Sequence, residues 1–161
     1  MADESDSLQK HLGAPTKSGR SVEYWIDPQK ALVVMRLGKT LEATEIELYA
    51  RALRQDPRFR PTLAEIVDLR NVQLLQMTPS QAITLADTAD PFAMSARRAF
   101  VVSNDYQANL AQMHKMLRSP SKCIRIFESF AEAEAWVRSG APCASPAGPP
   151  RILHFPVRHR S

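Results

Sequence analysis

Residues 21–37 read SVEYWIDPQKALVVMRL, and the organisation of the chain follows outward from this stretch. Val22, Tyr24 and Ile26 alternate with Ser21, Glu23, Trp25 and Asp27. That period of two places successive side chains on opposite faces of a strand. Asp27 and Pro28 then take the first two places of a type I turn, where proline's fixed φ suits the second. ALVVMRL follows as a second strand, rich in β-branched residues and more deeply buried. The fold therefore opens with an antiparallel hairpin.

Downstream the period changes. In residues 41–54, LEATEIELYARALR, Thr44, Ile46, Tyr49, Ala50 and Leu53 recur at helical steps. Thr40 is a candidate cap for this helix, and Pro57 requires it to end before Asp56. EIVDLR, residues 65–70, is a short apolar strand. In TPSQ, residues 78–81, Thr78 is placed as a cap, Pro79 at the first helical position and Gln81 to complete a capping box. Ala82, Ile83, Ala86 and Ala89 give that helix its apolar side. RRAFVVSND, residues 97–105, is a third core strand, and Ser103-Asn104-Asp105 reads as the turn and cap that lead into a helix. That helix is DYQANLAQMHKMLR, with Tyr106, Leu110, Met113 and Leu117 in phase. CIRIFES, residues 123–129, is the last strand, and FAEAEAWV, residues 130–137, the last helix, burying Phe130, Ala133 and Val137. Strands alternating with helices imply parallel pairing through right-handed crossovers. The expectation is a single α/β domain over residues 22–138, with a mixed, mostly parallel sheet opened by an antiparallel hairpin and about four helices.

The flanking zones differ. Residues 1–21 are polar with scattered Gly, Ser and Lys, as expected of a flexible N-terminal tail. Residues 139–161 carry five prolines (Pro142, Pro146, Pro149, Pro150 and Pro156) and three arginines, a Pro-rich basic tail. Of the net charge of +4, the tail supplies +3 and residues 22–138 only +1. A nucleic-acid-binding domain concentrates its positive charge on the folded part, so no nucleic-acid partner is expected. The whole chain has 161 residues, with 44% hydrophobic and 24% charged, in the range of an ordinary globular domain. Its longest apolar run, Ala31 to Met35, is far short of a membrane span, and the acidic start MADESDS has no signal-peptide layout. A cytoplasmic location is expected.

Specific chemical motifs are few. Cys123 and Cys143 cannot build a disulfide framework and have no short-spaced partners for zinc. Cys123 opens an apolar strand and reads as a core or boundary residue, whereas Cys143 lies in a Pro/Ala/Gly stretch and reads as exposed, in keeping with a reducing compartment. GxGxxG, GxxxxGK[ST], HExxH, GxSxG and CxxC are absent, and five glycines give little material for a phosphate cradle. No cofactor and no metal site is expected. His114 is the one histidine of the folded zone, since His11, His154 and His159 fall in the tails; without convergent partners it reads as structural.

With these residues in place, the hairpin, the DPRF after the first helix, the strand ending IVDLRNV, the RRAFVV strand and the closing AEAEAWV helix resemble the STAS-like proteins. That family includes the sporulation anti-sigma factor antagonists and a large bacterial branch of mostly uncharacterised domains. The resemblance spans residues 22–138, and IVDLRNV is its best single match. In the antagonists, the strand end leads to an Asp-Ser-Ser-Gly turn in which a partner kinase phosphorylates the second serine. Laid alongside, Gln76 stands at the aspartate, Met77 at the first serine, Thr78 at the phosphoacceptor and Pro79 at the glycine. Only Thr78 keeps a hydroxyl. The resemblance implies a small binding or regulatory module, not an enzyme, with a kinase or an anti-sigma-like regulator as partner.

Residue by residue, two readings stand. Thr78, with Ser80 as an alternative, sits where a helix N-terminus would stabilise an added phosphate, and equally where any helix needs a cap. Asp68 and Arg70 end a core strand, where α/β sheets place ligands, and with Gln76 and Met77 would form a partner or ligand edge. They also suit a plain ion pair and turn. Phe92, Met94, Met113 and Met116 are candidates for an apolar pocket or for plugs of the core. A regulatory, partner-binding module, switched by phosphorylation near the second helix, is the leading expectation. The alternative is a carrier or sensor of a small apolar ligand, since the STAS-like architecture is shared with lipid-transfer domains. That alternative needs a real cavity. An enzyme would need Asp68, Arg70 and His114 to converge in one cleft.

Overall fold

A computed structural model describes residues 10–118, 123–140 and 143. The hairpin forms as its alternation requires. Strand β2 (Glu23–Asp27) pairs antiparallel with β3 (Leu32–Arg36), with Tyr24 opposite Met35 and Ile26 opposite Val33. The Asp27 carboxylate holds the turn by accepting from the backbone N–H groups of Gln29 and Lys30 at 3.0 and 3.1 Å. The chain leaves the turn through Ala31 at φ 51, a conformation that L-residues seldom adopt.

Beyond the hairpin the elements alternate. They are β4 (Thr40–Glu42), α1 (Ala43–Gln55), β5 (Ala64–Asp68), β6 (Leu74–Gln76), α2 (Pro79–Thr84) and a π-helical turn over Leu85–Ala89. There follow β7 (Arg98–Val101), α3 (Asp105–Leu117), β8 (Ile124–Phe127) and α4 (Phe130–Arg138). The main sheet has six strands in the order β1-β2-β3-β5-β7-β8, where β1 is Thr16–Lys17. From β3 to β8 each pairing is parallel and each crossover advances one place in the same direction. Right-handed crossovers then put α1, α2 and α3 on one face, while α4, which follows the last strand, closes the other. The two cores obey this parity. Val33, Met35, Val67 and Phe100 pack with Tyr49 and Leu53 of α1 and Ala108 and Ala111 of α3. Val34, Ile66, Ala99 and Val101 pack with Phe130, Ala133 and Val137 of α4. The expected α/β class, mixed sheet and opening hairpin are thus present.

Several local expectations are corrected. Thr40 does not cap α1: it begins β4, which pairs parallel with the unanticipated β6 in a separate two-stranded sheet, and the cap position, Glu42, makes no side-chain cap bond. Three-residue strands carry too little periodicity to be read from sequence. Ile83 lies outside, 49% exposed, while Ala82, Leu85 and Ala86 turn inward. Of the stretch expected as an N-terminal tail, residues 1–9 lie outside the described residues, and residues 10–21 make fixed contacts. Its β1 joins the sheet, Trp25 Nε1 donates to the Gly13 carbonyl at 3.1 Å, and the buried Glu45 carboxylate of α1 accepts from Arg20 N and Ser21 N. Gly19, at φ 100, permits that approach, for a Cβ there would stand 2.5 Å from a Glu45 oxygen. Polar composition hid this order because the tie is made by a charge on a distant helix. Cys123 and Cys143 are joined in a disulfide across 20 residues, so the argument from free cysteines to a reducing compartment falls. The rest of the expected C-terminal tail, residues 141–142 and 144–161, lies outside the described residues.

Gln107, 1% exposed, locks α3 to the β5–β6 loop. Its Nε2 donates to the carbonyls of Arg70 and Val72, and its Oε1 accepts from Ser103 N at 2.8 Å. Gln107→Leu fills the same space but orphans these groups, so it is expected to cost roughly 2–4 kcal/mol in urea unfolding. A cost below about 0.5 kcal/mol would show that water replaces the side chain.

Candidate functional site: an apolar cavity over a buried ion cluster

The space between the sheet and the α1–α2–α3 layer is not filled. Met35, Val67 and Phe100 form its floor, Ile46, Tyr49 and Ala50 of α1 and Leu110 and Met113 of α3 its sides, and Ala82, Leu85 and Ala89 of the α2–π segment its cover. The cavity measures about 120 Å³ and is partly open to solvent. An apolar cavity of about 150 Å³ stays dry and accepts benzene, so this volume is of ligand size. The cause is local. Alanines stand at 50, 82 and 89 where larger side chains would close the gap. The π-helical turn, which adds a residue to one turn of the helix, swings Leu85 and Ala89 to the cavity wall and delivers the chain to Asp90.

A charged cluster sits at one side of this apolar space. Glu65 on β5 and Arg98 on β7 are register neighbours on the face toward α1 and α3. Both are buried, and the guanidinium holds Glu65 Oε1 through Nε at 3.0 Å and Nη2 at 2.8 Å. Tyr49 donates its hydroxyl to the other Glu65 oxygen. Arg98 Nη1 donates to Asp90 Oδ2, which also faces Arg118 Nε at 3.4 Å and His114 Nε2 at 3.6 Å. The remaining Asp90 oxygen accepts from Phe92 N at 3.0 Å. Arg98 further lies over the Phe92 ring, 4.9 Å from its centroid.

The environment sets the protonation states. Burial, joined by the nearby Arg98 charge, holds His114 below its ordinary 6.5 against the pull of Asp90, so the ring is neutral at pH 7. Burial opposes ionisation of Asp90, but His114, Arg98 and the Phe92 N–H outweigh it and keep the carboxyl well below the usual range. Burial and the Glu65 charge push the Tyr49 hydroxyl far up, fixing it as a donor. An Asp90 carboxylate held well below the usual range and a locked phenol are poor bases and nucleophiles. The arrangement can position and hydrogen-bond a molecule, and among the described residues lining the cavity there is no Ser, Thr, Cys or Lys to attack one.

The sequence-derived candidates scatter. Asp68 and Arg70 form a bidentate pair at 2.9 Å, with Asp68 buried on the α4 face and Arg70 above the Phe130 ring. His114 is on the opposite face, so the three do not share a cleft. Thr78 and Gln81 complete the capping box: Thr78 Oγ1 accepts from Gln81 N at 3.2 Å and Gln81 Oε1 from Thr78 N at 2.8 Å. Thr78, Ser80 and Gln76 are exposed, whereas Met77 lines the cavity. Of the four pocket candidates, Met113 lines the cavity. Phe92 is buried beneath Arg98, and Met94 and Met116 are 42% and 75% exposed. Glu65, Asp90 and Arg98 were missed, although a Glu and an Arg on the inward phase of two core strands are a readable anomaly once the strands are set side by side. Among the described residues, no group of three or more His, Cys, Asp or Glu is placed to hold a metal ion.

No family model matches the chain, and no curated protein matches it. A solved structure does: an uncharacterised protein of the DUF3478 family with a SpoIIAA-like fold from Shewanella loihica PV-4. The match covers 76% of this chain and 98% of that one, at a TM-score of 0.53 and 15% identity. At that identity the likeness concerns architecture, and the fold is STAS-like.

Two outcomes test the cluster. Arg98→Met strands two buried carboxylates and is expected to lose about 3–5 kcal/mol of stability. Because His114 is held neutral in the fold, its contribution is fully present above pH 6.5 and is lost as pH falls from there through the lower folded value. The depressed Asp90 adds a second loss only in stronger acid. Urea midpoints should therefore drop as pH falls below 6.5, and His114→Asn should flatten that fall. An unchanged slope in the variant would place the titration elsewhere.

Proposed function

We propose that this chain is a binding module, not a catalyst, and that its ligand is a small apolar molecule held between the sheet and the α1–α2–α3 layer. The single observation that carries the reading is the partly open, alanine-walled cavity of about 120 Å³. A protein that bound only other proteins through its surface would gain stability by closing this space, since filled cores are denser and more stable. Helix α2 supports a sensor role. It carries Ala82 on the cavity side and exposed Thr78, Ser80 and Ile83 on the other, so occupancy beneath it bears on the surface above.

A second reading concerns that surface. Leu74 and Ile83, 47% and 49% exposed, flank Gln76, Met77, Thr78 and Ser80 in one run of chain. Exposed apolar side chains beside an exposed helix start support a protein-partner edge of the kind the STAS-like resemblance implies, with a kinase or an anti-sigma-like regulator as the partner class. The Thr78 hydroxyl already serves as a cap acceptor, so phosphorylation there would replace the capping box and not simply add to it. Asp68 and Arg70 contribute to that edge only through their closed pair. Among the described residues, no helix is long and apolar enough to cross a membrane.

Ala82→Leu tests the ligand reading. The added carbons fill the cavity, and the variant is expected to be more stable than the parent by about 0.5–2 kcal/mol when both are ligand-free. In native mass spectra of protein purified gently from its own cells, the parent should carry a small-molecule increment that the variant lacks. A bare parent, or equal loading of both, would move the ligand out of this cavity.

A further inference from the structure

We infer that the cavity selects uncharged ligands: an apolar molecule with at most one neutral hydrogen-bonding group, such as a hydroxyl or carbonyl, and neither a carboxylate nor an ammonium. The inference rests on the ligand-binding reading above and narrows its ligand class.

Charges are paired in the wall and just behind it, where Arg118 lies outside the lining. Two carboxylates, Glu65 and Asp90, meet two guanidiniums, Arg98 and Arg118. Every carboxylate oxygen already has a partner. Glu65 Oε1 takes two Arg98 nitrogens, Glu65 Oε2 takes Tyr49, Asp90 Oδ1 takes Phe92 N, and Asp90 Oδ2 faces Arg98. The guanidiniums are engaged at every nitrogen but one, Arg118 Nε, which has no hydrogen-bond partner and lies outside the cavity lining, 3.4 Å from Asp90 Oδ2. Arg98 uses all three of its nitrogens, and Arg118 donates through Nη1 to the Ala86 carbonyl at 3.1 Å and through Nη2 to the Phe92 carbonyl at 2.9 Å. With His114 neutral, the cluster sums to zero.

A carboxylate entering this space would be a third buried anion with no free cation in the lining to meet it, since Arg98 is the one guanidinium among the described residues there. An ammonium would find no free carboxylate oxygen. A buried charge without a partner is the group most penalised by removal from water, so both are rejected relative to a neutral molecule of the same shape. A neutral head group meets what the wall can still offer. His114 keeps a ring nitrogen as donor or acceptor, and the Tyr49 oxygen keeps a lone pair after donating to Glu65. The remainder of the lining, including Met35, Leu85 and Phe100, is apolar and suits a hydrocarbon or an aromatic ring.

The test compares octanol, octanoate and octylammonium, matched in chain and differing in charge, each titrated at neutral pH into the full chain. Binding is read from the NMR signals of the Met35, Met77 and Met113 methyls, which line the cavity, with exposed Met116 as the reference. Octanol should shift the three lining methyls and leave Met116 unmoved, with a dissociation constant at least tenfold below those of octanoate and octylammonium. If octanoate or octylammonium binds as tightly as octanol at the same methyls, the charge rule is overturned while ligand binding stands. If none of the three shifts a lining methyl, the cavity is not a ligand site and both readings fall.

Discussion

The Arg98 guanidinium, inserted between Glu65 and Asp90, is the interaction on which the rest of this structure depends. A charged residue on the inward phase of a core strand has to be answered by the neighbouring strand, and here the answer is a carboxylate on β5 at the adjoining register position. Such a pair, with its desolvation to overcome, adds little or nothing to stability compared with apolar residues of equal volume. What it adds is specificity of placement. Arg98 joins β5, β7 and the Asp90 loop, and through Tyr49 the network extends to α1, so four elements meet in one geometry.

That fixed corner explains why the neighbouring space stays open. Asp90 is bound to Arg98 and Phe92 N, which pins the end of the π-helical turn, while the capping box of Thr78 and Gln81 pins the start of α2. Between the two anchors the segment presents Ala82 and Ala89 beside Leu85, and the two alanines do not fill the space above the floor formed by Met35 and Phe100. Anchored ends with small residues between them make a lid with a cavity under it. The same segment exposes Thr78, Ser80 and Ile83, so the lid is also the module's outer edge.

The fold was legible in the sequence for particular reasons. Residues 21–27 alternate cleanly, TPSQ carries every part of a capping box, and Phe130, Ala133 and Val137 share one helical phase; in each case the signal lies within a few residues. The short strands β4 and β6, the tie of Glu45 to residues 20 and 21, and the Cys123–Cys143 bond were not legible, because each joins parts of the chain that only the tertiary structure brings together. The site divides in the same way. Met113 could be named as a pocket candidate from local pattern, and Met77 as an edge residue from the family resemblance. Glu65, Asp90 and Arg98 could not be assembled until the parallel register of β5 and β7 was known, since each alone reads as an edge or loop charge. His114 was set aside for want of partners, and its partners, Arg98 and Asp90, lie on two other segments.

The central claim is that this STAS-like fold keeps an apolar cavity beside a fully paired ion cluster. Crystals pressurised with xenon test it most directly, because xenon occupies apolar cavities in proportion to their emptiness and apolarity. The account predicts xenon density among Met35, Leu85 and Phe100, with the α2–π segment unmoved. A site packed shut by its own side chains, or filled with ordered water that excludes the gas, would contradict it.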